Sequence, residues 1–216
     1  MFIVDEYLKR LQISKVLTPN LEFLNQLHFA HLINIPYENF DIINKVPFSL
    51  DEDCLFEKII LNNRGGYCYE LIILFKRLLS ELGYNTDLLS ARIFHQPGQI
   101  LGPEYDHSIL IVTLESKWLT DPGNSLWFSQ PIKLDYTKSQ TRNFQTFKIS
   151  QSDTGIYTMS EKKSGEQTFL PQYCFSLIPG KTRNSLKCAN INGHLPNQNL
   201  LRSIFVLGQF ETEGSL

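Results

Sequence analysis

The sequence predicts an α+β protein, a helical first part followed by a mostly β second part, and three observations carry the prediction. Apolar residues recur at three- and four-residue spacing through residue 84, and from residue 85 they give way to short β-type runs. Clusters of Gly, Pro, Asn and Ser separate those runs. No internal repeat is visible. Helices first and strands after, rather than in alternation, imply a helical bundle packed on a β-barrel or curved antiparallel sheet.

The helices follow in order. Phe2, Tyr7, Leu8 and Leu11 mark the first, and Leu21, Phe23, Leu24, Leu27, Phe29 and Leu32 mark the second, which Pro36 ends. Ser49 is placed to cap a third helix with Asp51, Glu52 and Asp53 in its first turn, where acidic groups meet the positive end of the macrodipole. Its buried stripe is Leu55, Phe56, Ile59 and Ile60, and it stops at Asn62 and Asn63. A fourth helix opens near Cys68, runs through Leu71, Phe75, Leu78, Leu79 and Leu82, and meets Gly83 just past its end.

Strands are expected at Leu88–Phe94, Ser108–Leu114, Lys117–Thr120, Phe144–Ile149, Gly155–Met159 and Gln172–Leu177. Residues 136–168 are polar and poor in aliphatics, which predicts exposed hairpins and loops, and the tail from Glu211 is expected to fray. The division that follows is 1–84 helical, 85–190 β-barrel, and 191–216 a linker or the remnant of a further domain.

Composition narrows the function. Across 216 residues the chain is 42% hydrophobic and 19% charged with a net charge of -2, and its 20 Lys and Arg residues are scattered. That distribution offers no surface for nucleic acid or an anionic membrane. No apolar run approaches the ~20 residues that span a bilayer, and the first twelve residues lack the pattern of a secretory signal. A cytoplasmic protein is expected. Four cysteines without a C-x-x-C pair indicate neither a disulfide scaffold nor a metal site.

Chemistry concentrates in Arg64-Gly65-Gly66-Tyr67-Cys68-Tyr69-Glu70. Two glycines let the backbone turn sharply and set a cysteine at a helix start, where unpaired N–H groups lower a thiol pKa and can bind a developing oxyanion. Cys54, Cys174 and Cys188 sit in apolar-periodic or strand-like contexts and read as buried small hydrophobes. Among five histidines, His107 opens a strand and is the best base. His28 and His31 read as capping or core residues, and His95 and His194 as solvated loop residues. Asp121 ends the next strand and can orient the histidine, completing a Cys, His, acid order. A three-residue hairpin loop at 115–117 would, however, set Asp121 opposite Ile111, about 13 Å from His107. From spacing alone Asp106, Glu104 and Asp135 therefore stay in competition.

These residues carry a resemblance to the arylamine N-acetyltransferases. It runs through Ala30-His31, Ile35-Pro36-Tyr37-Glu38-Asn39-Phe40, Arg64 to Glu70, Leu74-Phe75, Leu82-Gly83-Tyr84, Ala91-Arg92-Ile93, His107 to Val112 and Asp121-Pro122-Gly123, with a weaker stretch at Tyr173 to Leu177. The order and separations along the first 135 residues are those of the family. The resemblance implies a helical domain, a β-barrel domain and a ping-pong transfer of acetyl from acetyl-CoA to a small aromatic amine or hydrazine, without a metal. By position, Cys68 is the acyl-accepting nucleophile, His107 its base and Asp121 the orienting acid. Tyr37 matches an aromatic residue near the acceptor pocket, and Arg64 and Glu70 brace the loop.

Departures from the family pattern bear on specificity. Asn124 and Ser125 follow Gly123 where relatives carry a small or aromatic residue and glycine, which makes Asn124 a candidate substrate contact. Leu195 to Leu200 lacks the family's serines. The resemblance further implies a third domain, of which this chain would be a C-terminally short version. Two rival readings keep the triad: a cysteine hydrolase or transglutaminase-like enzyme, and a binding protein or decayed paralogue without a cofactor site.

Overall fold

The structure is a computed structural model that describes residues 1–178 apart from 48, 97–99, 125–127, 136 and 143–144. The expectations for Cys188, His194, Ser125, 191–216 and the tail from Glu211 lie outside the described residues.

α1 (Val4–Arg10) has Asp5 and Glu6 in its first turn and Lys9 and Arg10 in its last, matching both ends of its dipole. α2 (Leu21–Asn34) starts where Asn20 accepts a 2.8 Å hydrogen bond from the Phe23 amide, and stops before Pro36. A single turn, α3 (Phe40–Ile43), lies between the second and third expected helices, where the sequence predicts no element; four residues are too few to show a helical period. α4 (Glu52–Phe56) runs on as a π-helical turn, Glu57–Leu61. Its cap is Asp51, which accepts from Asp53 and Cys54 at 3.1 and 3.0 Å, whereas the expected cap, Ser49, accepts from Asp51 itself. The cap therefore sits two residues later than predicted, directly against the acidic first turn. α5 (Cys68–Glu81) opens at the predicted cysteine, and Gly83 beyond it takes φ +87°, a conformation that favours glycine.

The sheet consists of β1 (Asn85–Gln96), β2 (Ile100–Leu101), β3 (His107–Thr113), β4 (Lys117–Thr120), β5 (Ile132–Lys133), β6 (Gln140–Arg142), β7 (Gln145–Gln151), β8 (Ile156–Lys163) and β9 (Leu170–Ser176). All pairings are antiparallel, in the order β5-β4-β3-β1-β9-β8-β7-β6, with β2 on the far end of β1. The two edges meet through one side chain. The Gln140 amide donates to the Lys133 carbonyl at 2.7 Å and accepts from the Lys133 N–H at 2.9 Å, imitating a strand partner and nearly closing a barrel.

Period-two alternation on β3 divides the core. Leu110 and Val112 join Leu71, Phe75, Leu78 and the helical residues around them, while Ile109 and Ile111 face the barrel interior with Phe147, Ile149, Met159 and Tyr173. Each fully buried side chain of this size contributes about 1.5–3 kcal/mol. Residues 136–168 carry strands where two are expected, at Phe144–Ile149 and Gly155–Met159, add β6, and are anchored to the barrel core rather than merely exposed. They supply β6, β7 and β8, and three apolar residues (Phe147, Ile149 and Met159), all fully buried, are enough to fix them to the core.

Candidate active site

Residues 36–38 lie beside 66: the Gly66 amide donates to the Pro36 carbonyl at 3.2 Å and the Glu38 amide to the Gly66 carbonyl at 3.0 Å. Around this contact runs a charged network. Arg64 pairs with Glu38 at 2.7 Å and Asp41 at 3.0 Å, and Lys58 pairs with Asp41 at 2.7 Å and Glu70 at 2.8 Å. Glu70 also accepts from the Tyr67 amide at 3.1 Å, so the residue three places into α5 holds its start. Glu38 and Glu70 are buried, and stripping either of its cation would leave an uncompensated charge, at a cost of about 3 kcal/mol. Arg64 and Glu70 occupy the bracing positions the resemblance implies.

This bracing sets Cys68, a partly exposed residue, at the helix start. Half-buried Tyr37 hydrogen-bonds it; burial first, and the cysteine beside it second, push the phenol upward. From the other side the turn after β4 closes against the nucleophile. A Cβ on Gly123 would stand 2.8 Å from the Cys68 carbonyl oxygen and 3.2 Å from its Cα, so the approach depends on glycine.

His107 opens β3 on the barrel-interior face and is 1% exposed. The geometric objection to Asp121 rested on a hairpin centred on Ser116. In the structure Thr113 lies opposite Lys117 and Leu110 opposite Thr120, centring the turn on Glu115. Extending that register by one residue sets Asp121 across from Ile109, diagonal to His107 and on its face, within side-chain reach. The His107 Nε2 to Asp121 Oδ2 distance is 2.8 Å. Since Nε2 is engaged there, the hydrogen bond between His107 and Cys68 falls to Nδ1. Burial alone would push the imidazole down, but the Asp121 charge and hydrogen bond and the Cys68 sulfur outweigh it and push it up to about 10.

The other acids are engaged elsewhere. Asp106 binds His95 at 2.9 Å, Asp135 accepts from Thr137 at 2.6 and 2.9 Å in an exposed turn, and Glu104 is exposed. His95 is thus a paired strand residue, 18% exposed at its side chain, rather than a solvated one. Asn124 follows Gly123, its amide donating to the Asp121 carbonyl at 3.2 Å. Two residues near the site gave no chemical signal in the sequence. Tyr173 on β9 is buried with its ring 6.0 Å from His107, hidden in an ordinary strand pattern, and Tyr69 holds the Tyr105 carbonyl just before β3. His31 is a core residue as expected, edge-on to Phe75 at 5.0 Å, and burial pushes it down to about 3.

Cys174 is buried as expected, but Cys54 is exposed, because the first turn of α4 presents it to solvent. Accessibility therefore cannot make Cys68 stand out; only its neighbour can. Alkylation by iodoacetamide near neutral pH should be faster at Cys68 than at Cys54, despite the latter's exposure, because His107 is hydrogen-bonded to Cys68 and can act as its base. Peptide mapping after brief labelling measures both, and equal rates would contradict that role for His107.

Fold and site together define an α+β protein with Cys, His and Asp side chains converging where a helix start meets a barrel. A family model described as N-acetyltransferase matches residues 20–215, and the chain belongs to the arylamine N-acetyltransferase family. It is 32% identical over 174 residues to the arylamine N-acetyltransferase / N-hydroxyarylamine O-acetyltransferase of Salmonella typhimurium, covering 79% of this chain and 60% of that protein. The solved Salmonella typhimurium arylamine N-acetyltransferase superposes with a TM-score of 0.81 at 28% identity, over 92% of this chain and 72% of that one. The Mycobacterium marinum enzyme solved in complex with CoA superposes with a TM-score of 0.76 at 26% identity, over 84% and 68% of the two chains. The chain spans about three-fifths of the length of the first of these relatives. Among the described residues no helix is long and apolar enough to cross a membrane.

Proposed function

We propose that the protein transfers an acetyl group from acetyl-CoA to a small aromatic amine or hydrazine by a ping-pong route through Cys68. The observation that carries this reading is His107, buried and held charged between the Asp121 carboxylate and the Cys68 sulfur. In the first half-reaction the Cys68 thiolate attacks the thioester carbonyl, the N–H groups at the start of α5 receive the oxyanion, and the CoA sulfur leaves as a thiol with the proton from His107. In the second, the amine attacks the acetyl-Cys68 carbonyl, His107 takes the amine proton, and collapse of the intermediate returns the thiolate. Asp121 keeps the imidazole oriented and balances its charge throughout.

Residues 1–84 supply the nucleophile and residues 85–190 the base and acid, so the chemistry sits where the two parts meet. Tyr37 hydrogen-bonds Cys68, and Asn124 follows the Gly123 that packs on the Cys68 backbone; in this reading both would contact the acceptor. A free thiol nucleophile belongs in a reducing compartment, and a cytoplasmic setting is part of this reading.

Intact-mass measurement after incubation with acetyl-CoA tests it. One acetyl group should appear on wild-type protein, be absent from Cys68→Ala, and be discharged by an aromatic amine faster than by water. No acetylation by acetyl-CoA or by 4-nitrophenyl acetate would sink the proposal. Discharge to water at the same rate with and without amine would favour a hydrolase.

A further inference from the structure

α2 carries a histidine that the mechanism above does not use. His28 is completely buried, its ring stacked on Phe128 at 5.7 Å and 2° and edge-on to Phe75 at 6.3 Å and 76°. Packing alone does not call for an imidazole, because a phenylalanine ring would fill the same slot. What distinguishes it is that both nitrogens are engaged. The Asp121 backbone N–H donates to Nε2 at 3.3 Å, and Nδ1 lies 3.2 Å from the Ser129 carbonyl oxygen.

Those partners fix the tautomer. An amide N–H can only donate, so Nε2 is bare; a carbonyl can only accept, so Nδ1 carries the proton. Only the neutral ring satisfies both, and burial pushes His28 down to about 4 despite its bond to Ser129. The connection from β4 to β5 is therefore pinned on either side by one side chain from the helical part. β4 ends at Thr120, so the Asp121 amide sits one residue beyond the strand, where the ladder no longer positions it.

We propose that His28 is a positioning residue for the acid of the site: it holds the backbone of Asp121 so that the carboxylate reaches His107 across the hairpin diagonal. The inference rests on the reading of Asp121 as the orienting acid. The contact to His107 is a diagonal one, and a small displacement of the Asp121 backbone lengthens it directly. The titratable neighbours of the ring are Asp121 and, one turn along α2, His31.

The test uses the whole chain and reads the rate of Cys68 alkylation by iodoacetamide against pH, with urea unfolding in parallel. His28→Phe keeps the ring and its stacking and loses both polar contacts. It should slow neutral-pH alkylation on the order of tenfold or more and move the rate profile to higher pH, as Asp121→Asn should too. His28→Gln, whose amide oxygen extends to the Nε2 position, should restore most of the rate, and His28→Asn, which reaches only the Nδ1 side, should not. In an Asp121→Asn background His28→Phe should add no further slowing.

A wild-type profile in His28→Phe, whatever its stability, would make His28 a core residue only and overturn the proposal. If His28→Phe does not fold, the Gln and Asn variants decide, and wild-type rates in both would overturn it. If Asp121→Asn itself leaves the profile unchanged, the acid role fails and the positioning role fails with it. A slow Asp121→Asn beside a fast His28→Phe would remove the positioning role alone.

Discussion

Asp121→Asn should lower the rate of acetyl-Cys68 formation by about three to four orders of magnitude while leaving the fold intact. Asp121 Oδ2 meets His107, and Oδ1 has no hydrogen-bond partner among the described residues, so the buried carboxylate acts on the imidazole almost alone. An asparagine amide turned toward Nε2 would push the ring proton onto Nδ1, where it could no longer accept from the Cys68 thiol. Asp106→Asn should be far milder, because its carboxylate is engaged by His95. Timed intact-mass measurement ranks the two variants, and the reverse ranking would transfer the acid role to Asp106.

The same substitution has a signature in stability. His107 is raised from its ordinary 6.5 to about 10 in the folded protein, so its protonated form favours folding below pH 6.5, and that contribution fades as pH rises through about 10. Urea midpoints measured across that window should depend less on pH in Asp121→Asn than in the wild type.

Much of this site could be read from the sequence because its main parts are local. Cys68 follows a glycine pair and precedes a helical period, and those cues survive in any tertiary context. The acid could not be read from spacing alone, because moving the centre of a hairpin by one residue changes which side chains lie across from each other, and a turn of Glu115, Ser116 and Lys117 does not announce its centre. Family resemblance pointed to Asp121, and the register Thr113 to Lys117 accounts for the contact.

The contributions of His28, Tyr173 and Gly123 depend on long-range docking. A helix at residue 28 meets a loop at residue 121, and no periodicity encodes such a meeting. How firmly the expected strands of 136–168 are anchored to the barrel core is hard to read for a related reason. Strands exposed on one face need few apolar residues, and Phe147, Ile149 and Met159 provide them. Cys54 was misplaced because helical period alone cannot say which face of a short helix meets solvent.

The largest structural effect is expected from Gly65→Ala. A Cβ there would stand 2.1 Å from the Pro36 carbonyl oxygen and 2.8 Å from Glu38 Cγ, far inside contact distance, and the oxygen belongs to backbone that is itself hydrogen-bonded to Gly66. Relief requires the 36–38 strap to move, which breaks the Gly66–Pro36 and Glu38–Gly66 hydrogen bonds and strains the Arg64–Glu38 pair. A loss of about 3 kcal/mol or more follows from overpacking together with broken buried hydrogen bonds. Tyr37 lies on the strap between those two bonds, so its contact with Cys68 should loosen and acylation should fall as well. Gly155→Ala is the control, since nothing lies within 4 Å of its Cβ position and only its φ of +80° opposes a side chain, at about 1 kcal/mol. Urea unfolding of both variants, with Cys68 acetylation measured on each, separates the two causes. Equal stability losses, or a Gly65→Ala protein that acylates at the wild-type rate, would mean that the strap does not hold the nucleophile's surroundings in place.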